Sequence, residues 1–462
     1  MRTLLLAVLL AQASPSDQEN QLVRGLLREL IEINTTHSVG STGKAAEAMA
    51  ARLRTAGFDA SDVQVLGPNS AHANLVARLR GTGARKPILL ISHLDVVEAR
   101  KEDWTTDPFQ FVEKDGYFYG RGASDIKCGD AILVADFIRW KHEGFRPDRD
   151  LILALTANEE GGDVEENGIY WLLKKHRELI DAAYSINLDG GNLETKKGKK
   201  LLNELQYAEK GFLSFVLEVK NKGGHSSLPE KENAIYRLSR GLVRLSEFDF
   251  PVTLDAGTRA FFEAVAVSQE PEVASAINRM LSTNPPNAAA IALLSKSPDW
   301  NAALRTTCVA TMLEGGHAEN ALPQSAKATV NCRILPAEAP AAVEKTLRRV
   351  LSDDQISMTP IEPLAQVQSP PSPLLPEVVA AAKKVTSAMW PGVPVVPFVS
   401  QGGTDGTHLR RAGIPTYGIS GIADNYDDIR AHGKDERIAA TALYEGREFT
   451  YRLVNGLSER AK

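Results

Sequence analysis

Three short runs dominated by apolar residues constrain this 462-residue chain more than anything else in it. They cover 87–92, 151–157 and 183–188. A strand with one wet face alternates polar and apolar positions. A strand that is apolar at every position is covered on both faces, as in a parallel sheet sandwiched between helices. Helical periodicity surrounds the runs. It appears at 18–33, where Leu22, Leu26, Leu27 and Leu30 share a face, and again at 42–56, 130–143 and 168–175. Strands alternating with helices predict βαβ units, hence an α/β domain with a mostly parallel sheet and helices on both faces. Ligands of such open sheets sit outside the carboxyl ends of the strands. The residues that close each run are therefore where chemistry is expected.

The first run closes on Ser92-His93-Leu94-Asp95. Residues two apart in a strand point the same way, so His93 and Asp95 share a face. A ligating imidazole needs a partner on its other nitrogen, and Asp95 can serve directly or by orienting the site. The second run closes on Asn158-Glu159-Glu160-Gly161-Gly162 and the third on Asn187-Leu188-Asp189. Two adjacent carboxylates after a buried strand are costly unless a cation lies between them. Asp125 sits in a glycine-punctuated segment, 119–127, that runs into a helix, and His432 lies in a polar segment after the last expected strand. Each residue alone has a blander reading: a core histidine, a helix N-cap aspartate, a solvated Glu pair, a loop histidine. Taken together, His93, Asp125, Glu160, Asp189 and His432, with Glu159 beside Glu160, form a donor set for a two-metal site.

From about residue 208 the pattern changes. Residues 211–220 and 326–335 alternate as half-buried strands, and helices are expected at 233–246 and 341–351. This order predicts a small α+β domain with a one-faced antiparallel sheet. Residues 251–300 read as a mostly helical insertion within it, and Ser369-Pro370-Pro371-Ser372-Pro373 as a linker back to the first domain. A helix at 377–389 and a strand at 415–419 follow. The expected domains are 14–207 and 368–462 for the first, with 208–367 inserted as the second.

A net charge of −5 and the lack of a basic stripe argue against nucleic acid as partner. Three cysteines imply no disulfide framework, and the odd count leaves at least one thiol free or paired between chains. Arg2, the apolar run 4–10 and Ala11-Gln12-Ala13 have the form of a signal peptide cleaved after residue 13. That predicts a periplasmic or secreted protein with no membrane segment after cleavage.

The quoted segments resemble the M20 family of co-catalytic zinc peptidases and amidohydrolases, from about residue 18 to 457. The resemblance implies a zinc-exopeptidase fold with an inserted lid and dimerisation domain, hence a homodimer through that domain. It assigns two zinc ions, replaceable by cobalt or manganese, to His93, Asp125, Glu160, Asp189 and His432, with Asp125 bridging and Glu159 the general base. Asp189, where the family also uses Glu, points weakly to the dipeptidase and aminoacylase side. In the inserted domain Gly223-Gly224-His225-Ser226 resembles the turn whose histidine polarises the scissile carbonyl. Asn320, Arg333 and Gly402-Gly403-Thr404 resemble substrate-binding positions, Arg333 holding a carboxylate. The implied substrates are short peptides with a free carboxylate, or alternatively N-acyl amino acids. Cys128 stands where small residues are usual and is not a ligand; the 251–300 insertion favours the carboxypeptidase S-like branch.

Overall fold

A computed structural model describes residues 15–267 and 269–459. The expected signal segment, 1–13, lies outside the described residues. The chain divides into two compact units. The first comprises Met1–Lys200, Lys384–Pro391 and Ser420–Lys462; the second comprises Leu201–Lys383 and Gly392–Ile419.

The three apolar runs become adjacent strands of the first unit. Ile88–His93 lies in the middle, parallel to Leu151–Thr156 on one side and to Tyr184–Asn187 on the other. Every residue of the three is buried, which explains why Ile88–His93 and Leu151–Thr156 are nearly continuous in apolar residues and why even Ser185 and Asn187 of the third strand are covered. Each large apolar side chain so buried contributes about 1.5–3 kcal/mol. Asn74–Leu79 adds antiparallel to Leu151–Thr156, and Val63–Leu66 forms the next strand out. The helix Lys127–Glu143 packs on Ile88–His93 and against helices Pro15–Ile31 and Ala440–Ser458. It is buried along most of its length and stops at Gly144, whose φ of 64° glycine adopts without strain. A three-stranded antiparallel ribbon joins Arg437–Ala439 to Tyr117–Tyr119 and Val112–Lys114. This ribbon sets the segment just before it, with His432, beside the segment that carries Asp125.

The second unit holds a four-stranded antiparallel sheet in the order Thr307–Gly315, Ser325–Ile334, Gly211–Lys220, Ser357–Pro360. Leu213, Phe215, Leu217 and Val330 from the sheet pack with Leu238 and Leu347 from helices Ala234–Ser246 and Pro340–Leu351. The 251–300 region forms the helices Ala256–Ala266, Pro271–Ser282, Ala288–Leu294 and Pro298–Leu304. They share a separate core that includes Leu202 and Val396.

Two features depart from expectation. Cys308 and Cys332 face each other across paired strands and form a disulfide, leaving Cys128 as a buried free thiol. Cysteine count alone did not show that pairing, because it depends on strand register. The strand Lys199–Glu209, paired in parallel with Val395–Ser400, also went unforeseen. Its buried polar residues Asn203, Gln206 and Glu209 break the apolar pattern that marks the other strands.

Candidate metal centre

His93 ends its strand with only 2% of its surface exposed. Its Nδ1 lies 3.0 Å from the backbone oxygen of Asp95. A carbonyl can only accept, so Nδ1 carries the proton and Nε2 is left with a free lone pair. That Nε2 sits 3.5 Å from Asp125 Oδ1 and 3.9 Å from Asp189 Oδ1. The other oxygen of Asp125 lies 3.1 Å from His432 Nε2, and Glu160 Oε1 lies 2.9 Å from the same nitrogen. Asp125 thus turns one oxygen toward each imidazole, as a bridging carboxylate would. Glu159 offers an oxygen within 4.8 Å of donors on His93 and Asp189. All six side chains converge.

Asp95 has a different part. Its two oxygens accept the backbone N–H groups of Glu159, at 3.0 Å, and Glu160, at 2.9 Å. Its backbone oxygen, not its carboxylate, fixes the His93 ring. The carboxylate therefore positions the Glu pair, the orienting alternative of the two raised by the sequence. Asn158, with φ of 56°, makes the sharp turn that brings both glutamates round after the strand. Asp125 is no N-cap: the helix begins at Lys127, and Ile126 occupies the cap position.

The field of the cluster shows in its titration. Hydrogen bonds donated to Asp125 and Glu160 push the His432 imidazole up to about 10. Burial pulls His93 down, but Asp125 and Asp189 outweigh it and hold the ring well above its ordinary value. Burial raises Asp125, yet the two imidazoles bring it below the usual carboxylate range. Four carboxylates gathered round two imidazoles leave an excess of negative charge that bound divalent ions would offset. The oxygen and nitrogen donors fit zinc, and they also accept cobalt or manganese.

Glu436 escaped the sequence reading. Fully buried, it accepts from Arg121 Nη1 at 2.6 Å, Gly122 N at 3.0 Å, Ser124 N at 2.8 Å, Ser124 Oγ at 3.0 Å and Asp125 N at 3.0 Å. Arg121 also donates to the backbone oxygen of His432 at 3.4 Å. One buried ion pair therefore holds the backbone of both Asp125 and His432. The signal available was a carboxylate four residues after His432 and an arginine four before Asp125.

In the second unit the expected residues form two groups. His225 is exposed; its Nδ1 accepts from Ser227 N at 3.1 Å, so the neutral ring carries its proton on Nε2 and presents a donor. Asn320 adjoins it, its backbone oxygen accepting from Ser226 N at 3.1 Å. Arg333 donates to the backbone oxygen of Gln401 at 3.4 Å and stacks over Phe212, which places it beside the Gly402-Gly403 loop. Thr404 braces that loop from within. Its hydroxyl donates to the buried Glu209 at 2.6 Å and accepts from Gly406 N at 3.0 Å, which fixes the loop.

Carboxylates and imidazoles from the ends of parallel strands and from two neighbouring loops thus form a candidate metal centre. The family model described as Peptidase family M20/M25/M40 matches residues 89–456, and the chain belongs to that family. It is similar to human N-fatty-acyl-amino acid synthase/hydrolase PM20D1, 27% identical over 80% of this chain and 74% of that protein. It is also similar to the probable carboxypeptidase S-like 2 of Dictyostelium discoideum, 28% identical over 83% and 74%. Among solved structures, the M20 family metallo-carboxypeptidase Sso-CP2 from Sulfolobus solfataricus shares the fold. Its TM-score is 0.70 at 18% identity, over 94% of this chain and 99% of that one. The protein is an M20 family hydrolase.

Proposed function

We propose that this hydrolase is a co-catalytic two-zinc enzyme cleaving the amide bond of short peptides that end in a free carboxylate. The convergence of His93, Asp125, Glu159, Glu160, Asp189 and His432 carries the reading. His93, Asp125 and Asp189 would hold one ion, and Asp125, Glu160 and His432 the other. Bound there, the ions would supply Lewis acidity to the carbonyl and lower the pKa of a water. Glu159 takes the proton of the attacking water and hands it to the leaving amine. Asp95 holds Glu159 and Glu160 by their backbone amides so that neither carboxylate swings away. His225 presents an N–H suited to a developing oxyanion. Arg333, with the Gly402-Gly403 backbone beside it, suits a terminal carboxylate.

A second reading, N-acyl-amino-acid hydrolysis, is favoured by the likeness to a relative named for N-fatty-acyl-amino acids. Both substrates place a carboxylate on the leaving amino acid, so the same chemistry serves either. Dialysed protein with zinc, cobalt or manganese restored, assayed on dipeptides, tripeptides and N-acyl amino acids, separates them by kcat/KM. Hydrolysis of neither class, with two metal equivalents bound, sinks both readings.

Export to a periplasm or the medium belongs to the same proposal. It is supported by the Cys308–Cys332 disulfide, a bond that persists in oxidising compartments; fractionation of tagged protein tests it. Homodimerisation is supported by Val309, Met312 and Leu313, exposed on the Thr307–Gly315 strand. Light scattering reports it directly.

A further inference from the structure

A second group of metal-competent side chains lies in the first unit and shares no residue with the centre above. His37, in the loop after helix Pro15–Ile31, His72, in the turn before strand Asn74–Leu79, and Glu166, in the turn after Glu159-Glu160, offer ligand atoms all within 4.8 Å of one another. His37 Nε2 lies 3.3 Å from Glu166 Oε2, and His72 Nδ1 lies 3.7 Å from the same oxygen. Ligands of a tetrahedral zinc at about 2.1 Å stand about 3.4 Å apart, close to both of these spacings.

Two further observations point to a ligand. His72 Nδ1 is shielded from solvent and makes no hydrogen bond among the described residues. A lone pair or N–H left so is costly unless something occupies it. Beside it, Gly162 has φ of 99°, and a Cβ there would come within 2.6 Å of His37 Nε2 and 3.6 Å of Glu166 Oε2. Glycine therefore keeps clear the space into which the donors of His37 and Glu166 point.

We infer that His37, His72 and Glu166 form a third divalent-metal site, of two nitrogens and one carboxylate with water completing the shell. The donor set selects zinc and its late transition-metal neighbours over magnesium or calcium. Its consequence is local. Asn158 Nδ2 donates to the backbone oxygen of Glu166 at 3.2 Å, and Asn167 Nδ2 donates back to Asn158 O at 3.3 Å. An ion on Glu166 would tie the 36–40 and 69–73 segments to the loop that carries Glu159 and Glu160.

The test is zinc content of the purified full chain after equilibration with a zinc buffer, for wild type, His72→Gln, His37→Gln and Asp125→Asn. His37 is 40% exposed on its side chain, so its replacement leaves the fold intact even where a change at His72 does not. The expected result is one zinc equivalent fewer in each His variant than in wild type, and in a His37→Gln/Asp125→Asn double variant the sum of the two single losses. Equal zinc content in wild type and His37→Gln overturns the proposal and leaves a plain His–carboxylate contact. The readout is a difference, so failure of the two-zinc reading at Asp125 registers independently of this one.

Discussion

Replacing Glu436 with Gln tests whether the catalytic donors are held from behind by one buried carboxylate. The change keeps side-chain volume and turns one oxygen into an NH2 group. Both oxygens are saturated with donors: one takes Arg121 and Gly122 N, the other Ser124 N, Ser124 Oγ and Asp125 N. If the new amide faces Ser124, the Oγ can turn to accept from it, but two backbone N–H groups meet a donor. Each buried donor left without a partner costs about 1–3 kcal/mol. Losing the charge on Glu436 also weakens its bond to the buried Arg121. The sum is about 3–5 kcal/mol, and at about 2–4 °C per kcal/mol for a unit of this size the melting temperature should fall by roughly 6–20 °C.

A metal readout separates positioning from simple destabilisation. Partners lying behind metal ligands typically change metal affinity about 10–100-fold. Chelator competition should therefore show zinc held at least about tenfold more weakly in Glu436→Gln. A tenfold loss removes about 1.4 kcal/mol of metal-linked stabilisation, so the rise in melting temperature on adding zinc should shrink as well. Unchanged zinc affinity together with an unchanged melting temperature would show that Asp125 and His432 hold their places without Glu436.

Three other expectations are more direct. Glu159→Gln should lower kcat by about 10²–10⁴-fold with zinc content preserved; near-normal turnover would end its assignment as the base. Arg333→Ala should raise KM for carboxylate-ended substrates by about 10–100-fold, the worth of a charge-assisted hydrogen bond, and leave kcat close to wild type; equal KM for the free acid and its amide in wild-type enzyme would refute the subsite. Asp136 is fully buried in the helix Lys127–Glu143, and neither of its oxygens has a hydrogen-bond partner among the described residues. Burial pushes its carboxyl well above the ordinary range, with Arg447 and Arg139 offsetting part of the shift. A raised folded pKa stabilises fully below the unfolded value and loses that stabilisation as pH rises through the folded value. Asp136→Asn, a mimic of the neutral acid, should therefore gain stability relative to wild type as pH climbs from about 4; a difference constant between pH 4 and 9 would contradict this.

The parts of the molecule legible in the sequence were those dictated by simple periodicities. Ile88–His93 and Leu151–Thr156 read as doubly covered strands, Tyr184–Asn187 less cleanly because Ser185 and Asn187 interrupt its apolar residues, and parallel pairing fixed which end of each would carry chemistry. The end rule puts His93, Glu159, Glu160 and Asp189 where chemistry is expected, and their combination sets them apart from ordinary core or surface residues. Asp125 and His432 lie outside that rule. Their juxtaposition depends on the ribbon between Tyr117–Tyr119 and Arg437–Ala439, two short strands whose pairing no local pattern announces. The resemblance in the quoted segments supplied what periodicity left open. Glu436 was hidden for a related reason: a buried acid looks like a surface acid until its partners are known, and all five of its donors come from 121–125.

The same logic explains why Asp95 was only half read. A carboxylate two residues after a ligating histidine suggests a bond to the imidazole, and strand geometry permits one. The structure gives that bond to the backbone carbonyl of Asp95 and turns its carboxylate to the amides of Glu159 and Glu160. Burial raises the Asp95 carboxyl, while His93 and those two amides draw it back toward ionisation. One residue thus sets the His93 tautomer with its main chain and the place of Glu159 with its side chain. Asp95→Asn should disturb the second and spare the first, since an amide can accept one of the two N–H groups but offers the other a donor. The expected signature is a fall in kcat with His93 still ligating, and loss of metal in step with activity would mean the two roles are not separable.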